Sequence, residues 1–353
     1  MQNDRGSRAA ARLDSVWQLP LTRSKTFALL ALLILLAAPR LCAGSLDSSI
    51  LGMFPKNVSE FGYADLTAAR EFPWFPQFEA QVVPVSLYGF EQFLEAAQMR
   101  QSPVIEGVAW ARIGPSSANS LGTAAAEHGS GQIVGIAAGH FDVGAIQSFL
   151  SARQIPGIKI GDYVMYAAGT GSGANDVYFI LSSDQTIAFG SLDALNRLLR
   201  ARAGAEENLF TNEKMMDQIG EVNGDCVFWG VFSAGGAQMA VEQLLPDVVK
   251  FPQGRDLIAK MEGVSIAVKA PSDIQLDFQA VAASSNDALL LSQVVQVGLL
   301  YKQQQAKESD SGLGGILSRA RVSATGNRLD LSLEVDDDQV LSLIEHDAFR
   351  LAM

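Results

Sequence analysis

The stretch GDYVMYAAGTGSGANDVYFILSSDQTIAFGSLDALNRLLRAR, residues 161–202, decides the predicted fold. Its segments 163–168 and 177–181 are rich in β-branched and aromatic residues, which favour a half-buried strand. The next four residues are polar, so they predict a tight turn onto a third strand at 186–189. The first two-thirds of the stretch therefore predict strands joined by hairpins.

The last third predicts a helix. Ser191 is a suitable N-cap because its hydroxyl can accept a hydrogen bond from a free backbone N–H in the first turn. Leu192, Leu195, Leu198 and Leu199 then recur at helical spacing. Hairpin, polar cap and amphipathic helix form the predicted unit.

Partial copies of this unit recur along the chain, at residues 133–150, 226–245, 276–301 and 328–346. In three of them a polar residue precedes the helix: Asp142, Asn286 and the acidic run that begins at Asp336. Repetition of this kind predicts an α+β fold, with antiparallel sheets built from repeated β-β-α units and helices packed on one face. Residues 44–104 predict a preceding aromatic-rich helical segment.

The N-terminus predicts export. Arg23 and Lys25 precede 12 uncharged apolar residues, 27–38, which are too few to cross a bilayer but suit the core of a signal peptide. Residues 1–43 are therefore interpreted as a signal peptide or, alternatively, an uncleaved membrane anchor formed around 27–38. An apolar core helix is a third interpretation of the same run.

The number of cysteines agrees with a bacterial envelope location, and the charge excludes one class of partner. Removal of the leader would remove Cys42 and leave Cys226 alone, so no internal disulfide could form. The net charge of -12 and the absence of any basic stripe argue against binding to nucleic acid. We expect a periplasmic or cell-envelope protein with two α+β units after the aromatic segment, 105–205 and 206–353.

Two sets of residues are candidate sites. The aromatic segment could form a groove for a protein, peptide or lipid, or it could pack in the core. The residues of that candidate groove are Trp74, Phe75, Phe78, Tyr88 and Phe90.

The alternative is a hydrolase-like site in which His140, beside Asp142, acts as acid or base near the glycine-rich loop 169–173. Ser172 and Asp176 belong to the same candidate site. The loop leads into a strand instead of a helix and has no P-loop lysine, so a hairpin connection is the simpler interpretation. No metal-ligand spacing or cofactor motif is present in the sequence, and we expect neither a metal nor a cofactor.

Three segments carry a resemblance to a known group: SEFGYADLTAAREFPWFPQFEAQ (59–81), GTGSGANDVYFIL (169–181) and TIAFGSLDALNRLL (186–199). Across residues 54–353 the chain resembles uncharacterised exported bacterial envelope proteins, a domain of unknown function with no assigned activity. The resemblance implies an exported α+β protein and brings no catalytic residues. The sequence predicts a non-catalytic envelope protein that binds a partner, with the hydrolase as the alternative.

Overall fold

The computed structural model describes residues 45–77, 105–114, 132–168, 177–224, 226–238, 252–269, 274–309 and 313–345. These residues belong to one compact unit, Ala43–Met353. The leader 27–38, the glycine-rich loop and the aromatic residues Phe78, Tyr88 and Phe90 lie outside the described residues.

The described strands form one antiparallel sheet of 12 strands. The strands are β1 (Val58–Asp65), β2 (Ile105–Ile113), β3 (Gln132–Gly139), β4 (Gly157–Ile160), β5 (Tyr163–Ala167), β6 (Tyr178–Leu181), β7 (Thr186–Gly190), β8 (Phe228–Ser233), β9 (Met261–Lys269), β10 (Ile274–Ala282), β11 (Arg321–Thr325) and β12 (Arg328–Val335). Their order across the sheet is β11-β12-β10-β9-β8-β1-β2-β3-β7-β6-β5-β4.

The described helices are α1 (Ser48–Leu51), α2 (Leu66–Ala69), α3 (Val143–Ala152), α4 (Leu192–Arg202), α5 (Glu213–Val222), α6 (Pro252–Ile258), α7 (Ser285–Ser309), α8 (Leu313–Ser318) and α9 (Asp337–Glu345), with a short 3-10 turn at Leu209–Thr211. The mixed composition and the antiparallel sheet confirm the α+β class.

The sheet has two faces, which we name from their buried residues. The front face carries Phe61, Ile136 and Trp229, and the strand register places Ala111 and Ala267 on the same side. Helices α4 and α5 and the segment 46–54 cover this face with apolar side chains. The centre of the core lies here.

The back face is covered at its two ends by different helices. Helix α3 packs Ile146 and Leu150 against Ala137 and Phe189 at one end. Helix α7 covers β9, β10 and β12 at the other end. The prediction that helices pack on one face is therefore wrong, because β3, β6 and β7 carry apolar side chains on both sides and both sides need cover.

Two further expectations need correction. The segment 44–104, predicted to be helical, contains β1, a central strand that pairs with β2 on one side and β8 on the other. Because β8 belongs to the predicted second unit and β2 to the first, the sheet runs without a break across the expected boundary near residue 205.

Candidate functional site

Of the predicted aromatic groove, Trp74 and Phe75 are within the described residues, and both are buried. They pack with Ile274, Val335 and Val340 on the back face, and the Trp74 indole Nε1 donates a hydrogen bond to the Asp337 carboxylate at 2.9 Å. These two side chains are part of the core, so neither is available to an external partner.

The described part of the hydrolase-like site does not converge. His140 Nδ1 lies 3.1 Å from Glu106 Oε1, and both side chains are exposed. Asp142 instead caps α3, accepting a hydrogen bond from the Ala145 N–H at 2.9 Å. Ser172 and Asp176 lie outside the described residues.

The register of the strands also separates His140 from the ends of the glycine-rich loop. Tyr178, just after the loop, pairs with Gly190, which pairs with Val134. His140 follows the opposite end of the same strand β3, six residues beyond Val134, or roughly 20 Å at the strand rise per residue. The residues that flank the loop therefore lie at the opposite end of these strands from His140.

A cavity of about 480 Å³ opens where β8 ends and β9 begins. Two lysines line it, but Lys214 Nζ is 3.3 Å from Glu262 and Lys260 Nζ is 2.8 Å from Asp287. No group of three or more His, Cys, Asp or Glu residues that could hold a metal occurs within the described ranges. Both lysines of the cavity are therefore paired with carboxylates.

Helix α7 presents the most unusual surface. It begins after Ser284, whose hydroxyl oxygen accepts the Asp287 N–H at 3.1 Å. Lys260 donates a hydrogen bond to Asp287, and this bond, together with one from Ser284, lowers the pKa of the Asp287 carboxyl. The same contact with Asp287 raises the pKa of Lys260. The first turn of the helix is thus fixed to the turn before β9 by an ionic contact.

The inner side of α7 anchors it to the sheet. Leu291 and Val295 are buried against Val264 and Leu329 on the back face. Further along, the Gln303 amide donates a hydrogen bond to the Leu317 carbonyl at the end of α8, at 2.6 Å. The helix is held at its start, its middle and its C-terminal part.

The outer side of α7 also carries large apolar side chains, beside the exposed amides of Gln293 and Gln296. Five of the nine large hydrophobic side chains that are exposed in the described part of the chain lie on this one helix. We call these five residues the α7 stripe: Leu289 (50% exposed), Leu290 (41%), Val297 (64%), Leu300 (64%) and Tyr301 (58%).

The stripe is uncharged, and the exposed amide side chain of Gln293 lies midway along it. At about 100° per residue its members fall within roughly 120° of the helix circumference, and they extend over about 18 Å of helix. Residues 288–301 include no Asp, Glu, Lys or Arg. Single exposed apolar residues are ordinary, but a group of this kind on one face marks an interaction surface more often than chance.

The sequence predicts a helix here, within the partial copy at residues 276–301, and does not separate its two sides. The signal was present, because Leu, Val and Tyr side chains occur around the whole circumference of the helix between residues 289 and 301, whereas a surface helix usually has one polar face. None of the described helices is long and apolar enough to span a membrane.

Comparisons with known proteins found two structural similarities. No protein-family model and no curated protein matches the chain. Two solved structures, crystal forms I and IV of TP0453, are similar to it with TM-scores of 0.45 and 0.43, each at 10% sequence identity. Each alignment covers 87% of this chain, and 99% and 98% of the respective TP0453 chain.

Proposed function

We propose that the protein is an exported, non-catalytic envelope component that acts by binding a partner at the α7 stripe. The carrying observation is the five exposed apolar side chains on one uncharged helix face. The partner class is a protein, a peptide or a lipid, each of which can cover an apolar helix face.

The free energy gained by removing the exposed apolar side chains from water supports a binding role. Apolar surface gains about 25 cal/mol for each Å² removed from water, so covering the stripe is favourable for any complementary partner. Polar residues at the same positions would keep the inner contacts of α7 and avoid that exposure. The inner residues Leu291 and Val295 pack the helix on the sheet without the stripe.

The location is proposed from the leader. A basic pair followed by 12 apolar residues supports delivery to the periplasm or cell envelope, with residues 27–38 either removed or kept as a tether. Cell fractionation with an antibody against the folded region tests this proposal. Recovery of the intact chain, leader attached, in the cytosol would contradict it.

We also propose that three hairpin-plus-helix units, β6-β7-α4, β9-β10-α7 and β11-β12-α9, derive from one repeated pattern. Their common order of elements supports this. The different faces covered by α4 and α7 require that the copies diverged in how the helix returns to the sheet.

The binding role is tested with a stripe variant and a matched control. Val297→Glu with Leu300→Glu places two charges in the stripe without touching the buried side of α7. Leu192→Glu places a charge at an exposed leucine in the first turn of α4, where an acidic residue suits the helix N-terminus.

Immobilised wild-type protein and the Leu192→Glu control should retain the same components from an envelope extract. The stripe variant should lose them. Vesicles of phosphatidylcholine and of phosphatidylglycerol, tested separately by co-sedimentation, determine whether the component is lipid. Equal retention by all three proteins would refute the stripe as the binding surface.

A further inference from the structure

We infer that the partner at the α7 stripe is a second copy of this chain, docked so that the two α7 helices run antiparallel. This inference rests on the proposed function, because it takes the stripe as the binding surface and names its occupant.

The stripe is complementary to itself when one helix is reversed about residue 295. Leu289 then faces Tyr301 of the second copy, and Leu290 faces Leu300. In the middle, Gln293 faces Val297. A twofold axis makes each of these contacts twice, which is the arrangement that symmetric dimers use.

The flanks of the stripe agree with the same register. Asn286, exposed before the stripe, faces Gln304, exposed after it, so polar side chains meet at both ends. Side chains in rows four residues apart, such as Leu289, Gln293 and Val297, pack into the grooves of a neighbouring helix at axis separations of about 8–10 Å.

Charge favours this surface over others for self-association. The chain has a formal net charge of -12, so two copies repel each other over most of their surfaces. Residues 288–301 are uncharged, and contact there leaves no like charges facing each other. Antiparallel helices also align opposite ends of their dipoles, whereas a parallel pair would bring Lys302 of each copy together.

The size of the stripe predicts a weak dimer. A single helix face about 18 Å long is at the small end of specific interfaces, which bury about 800 Å² on each partner. We therefore expect monomers and dimers to exchange at about micromolar concentration.

Sedimentation equilibrium on the purified folded chain, over a range of micromolar concentrations, measures this exchange. The wild type and Leu192→Glu should approach twice the monomer mass as concentration rises. Val297→Glu should weaken association at least about 30-fold, because each dimer would acquire two buried like charges. A wild type that stays monomeric throughout, or a dimer that Val297→Glu leaves unchanged, would overturn the inference.

Disulfide cross-linking tests the direction of the helices. In a Cys42→Ser background, Leu289→Cys and Tyr301→Cys are made as separate proteins. In an antiparallel pair, residue 289 of one copy is about 18 Å along the helix from residue 289 of the other, too far for a disulfide. Neither protein alone should cross-link, and an oxidised mixture of the two should.

Cross-linking of either protein alone, or of neither alone nor mixed, would overturn the antiparallel arrangement. The two proposals can fail separately. If the protein is monomeric while the stripe variant still loses its envelope components, the dimer is refuted and the binding role stands. If the stripe variant changes neither the mass nor the retention, both are refuted.

Discussion

Gly190, at the end of β7, shows how a single residue allows two strands of the sheet to pair closely. Its φ angle is +154°, a backbone conformation that side chains other than glycine rarely adopt. A Cβ at this position would lie 2.7 Å from the Ile133 carbonyl oxygen and 3.0 Å from the Val134 Cα, both backbone atoms of β3. The absence of a side chain therefore permits β7 to approach β3 where α4 begins.

Gly190→Ala is expected to destabilise the protein by about 3 kcal/mol or more, because both the backbone angle and the neighbouring strand oppose the new methyl group. Gly326→Ala is the control: its φ is +59° and no heavy atom lies within 4 Å of the added Cβ. That change should cost only about 1 kcal/mol. Urea unfolding followed by circular dichroism measures both, and equal losses would contradict the explanation.

Asp277 on the front face predicts a dependence of stability on pH. Partial burial alone would raise the pKa of this carboxyl, but hydrogen bonds from Gln275, Lys269 and Ser332 outweigh it and lower the pKa. A carboxyl with a lowered pKa in the folded state contributes stability above its unfolded pKa, near 4, and loses that contribution as the pH falls through the folded value.

Asp277→Asn should therefore reduce the free energy of unfolding at pH 7, and the difference from wild type should shrink as the pH falls below about 4. Asp184→Asn, in the exposed turn between β6 and β7, controls for the change in net charge. Urea unfolding at a series of pH values gives the comparison. A difference that stays constant down to low pH would refute the assignment.

At the scale of elements, local signals in the sequence were reliable where the chain supplies its own cap. Ser191 accepts the Ala194 N–H at 3.4 Å, Asp142 caps α3, and Asp336 accepts the Gln339 N–H at 2.9 Å. The prediction that Asn286 caps α7 is wrong. Ser284, two residues earlier, is the cap, because its hydroxyl accepts the Asp287 N–H and also contacts the Asp287 carboxylate. These elements could be predicted because their hydrogen bonds are local.

Strand β1 could not be predicted in the same way. Gly62 interrupts its apolar pattern, and the reason lies in a different strand, because a Cβ there would come within 2.3 Å of the Trp110 ring. The surroundings of Trp74, Phe75 and His140 could not be predicted for a similar reason. The aromatic residues and His140 are conspicuous in the sequence, but burial and strand register decide what they contact.

Helix α4 gives the prediction that belongs to this scale. Leu198 is fully buried in the front core, while Leu192 on the same helix is 40% exposed. Leu198→Ala should lower the free energy of unfolding by about 2–5 kcal/mol through lost contacts and a cavity. Leu192→Ala should change it by less than about 0.5 kcal/mol. Similar losses of unfolding free energy for the two variants would contradict the assignment of Leu198 to the buried side of α4 and Leu192 to its exposed side.

For the whole molecule, the continuous sheet explains why the helices divide between two faces. The strands β3, β6 and β7 read as short apolar runs without alternation, which is the pattern of strands buried on both sides. The sequence predicts these runs as strands, but helices on one face only would leave their second apolar side uncovered. At one end of the sheet, α4 covers the front face and α3 covers the back face. At the other end, α7 covers the back face and has large apolar side chains on its exposed side.

Hydroxyl-radical footprinting of the protein at low concentration, alone and in an envelope extract, tests that surface most directly. Leu300 and Tyr301 are 64% and 58% exposed in the single chain, so they should be oxidised readily when the protein is alone. They should be protected in the extract, or when the protein alone is concentrated enough to dimerise, whereas Leu192 and Phe210, exposed elsewhere, should be oxidised equally in every sample. Equal oxidation of Leu300 and Tyr301 in all the samples would contradict the α7 stripe as a binding surface.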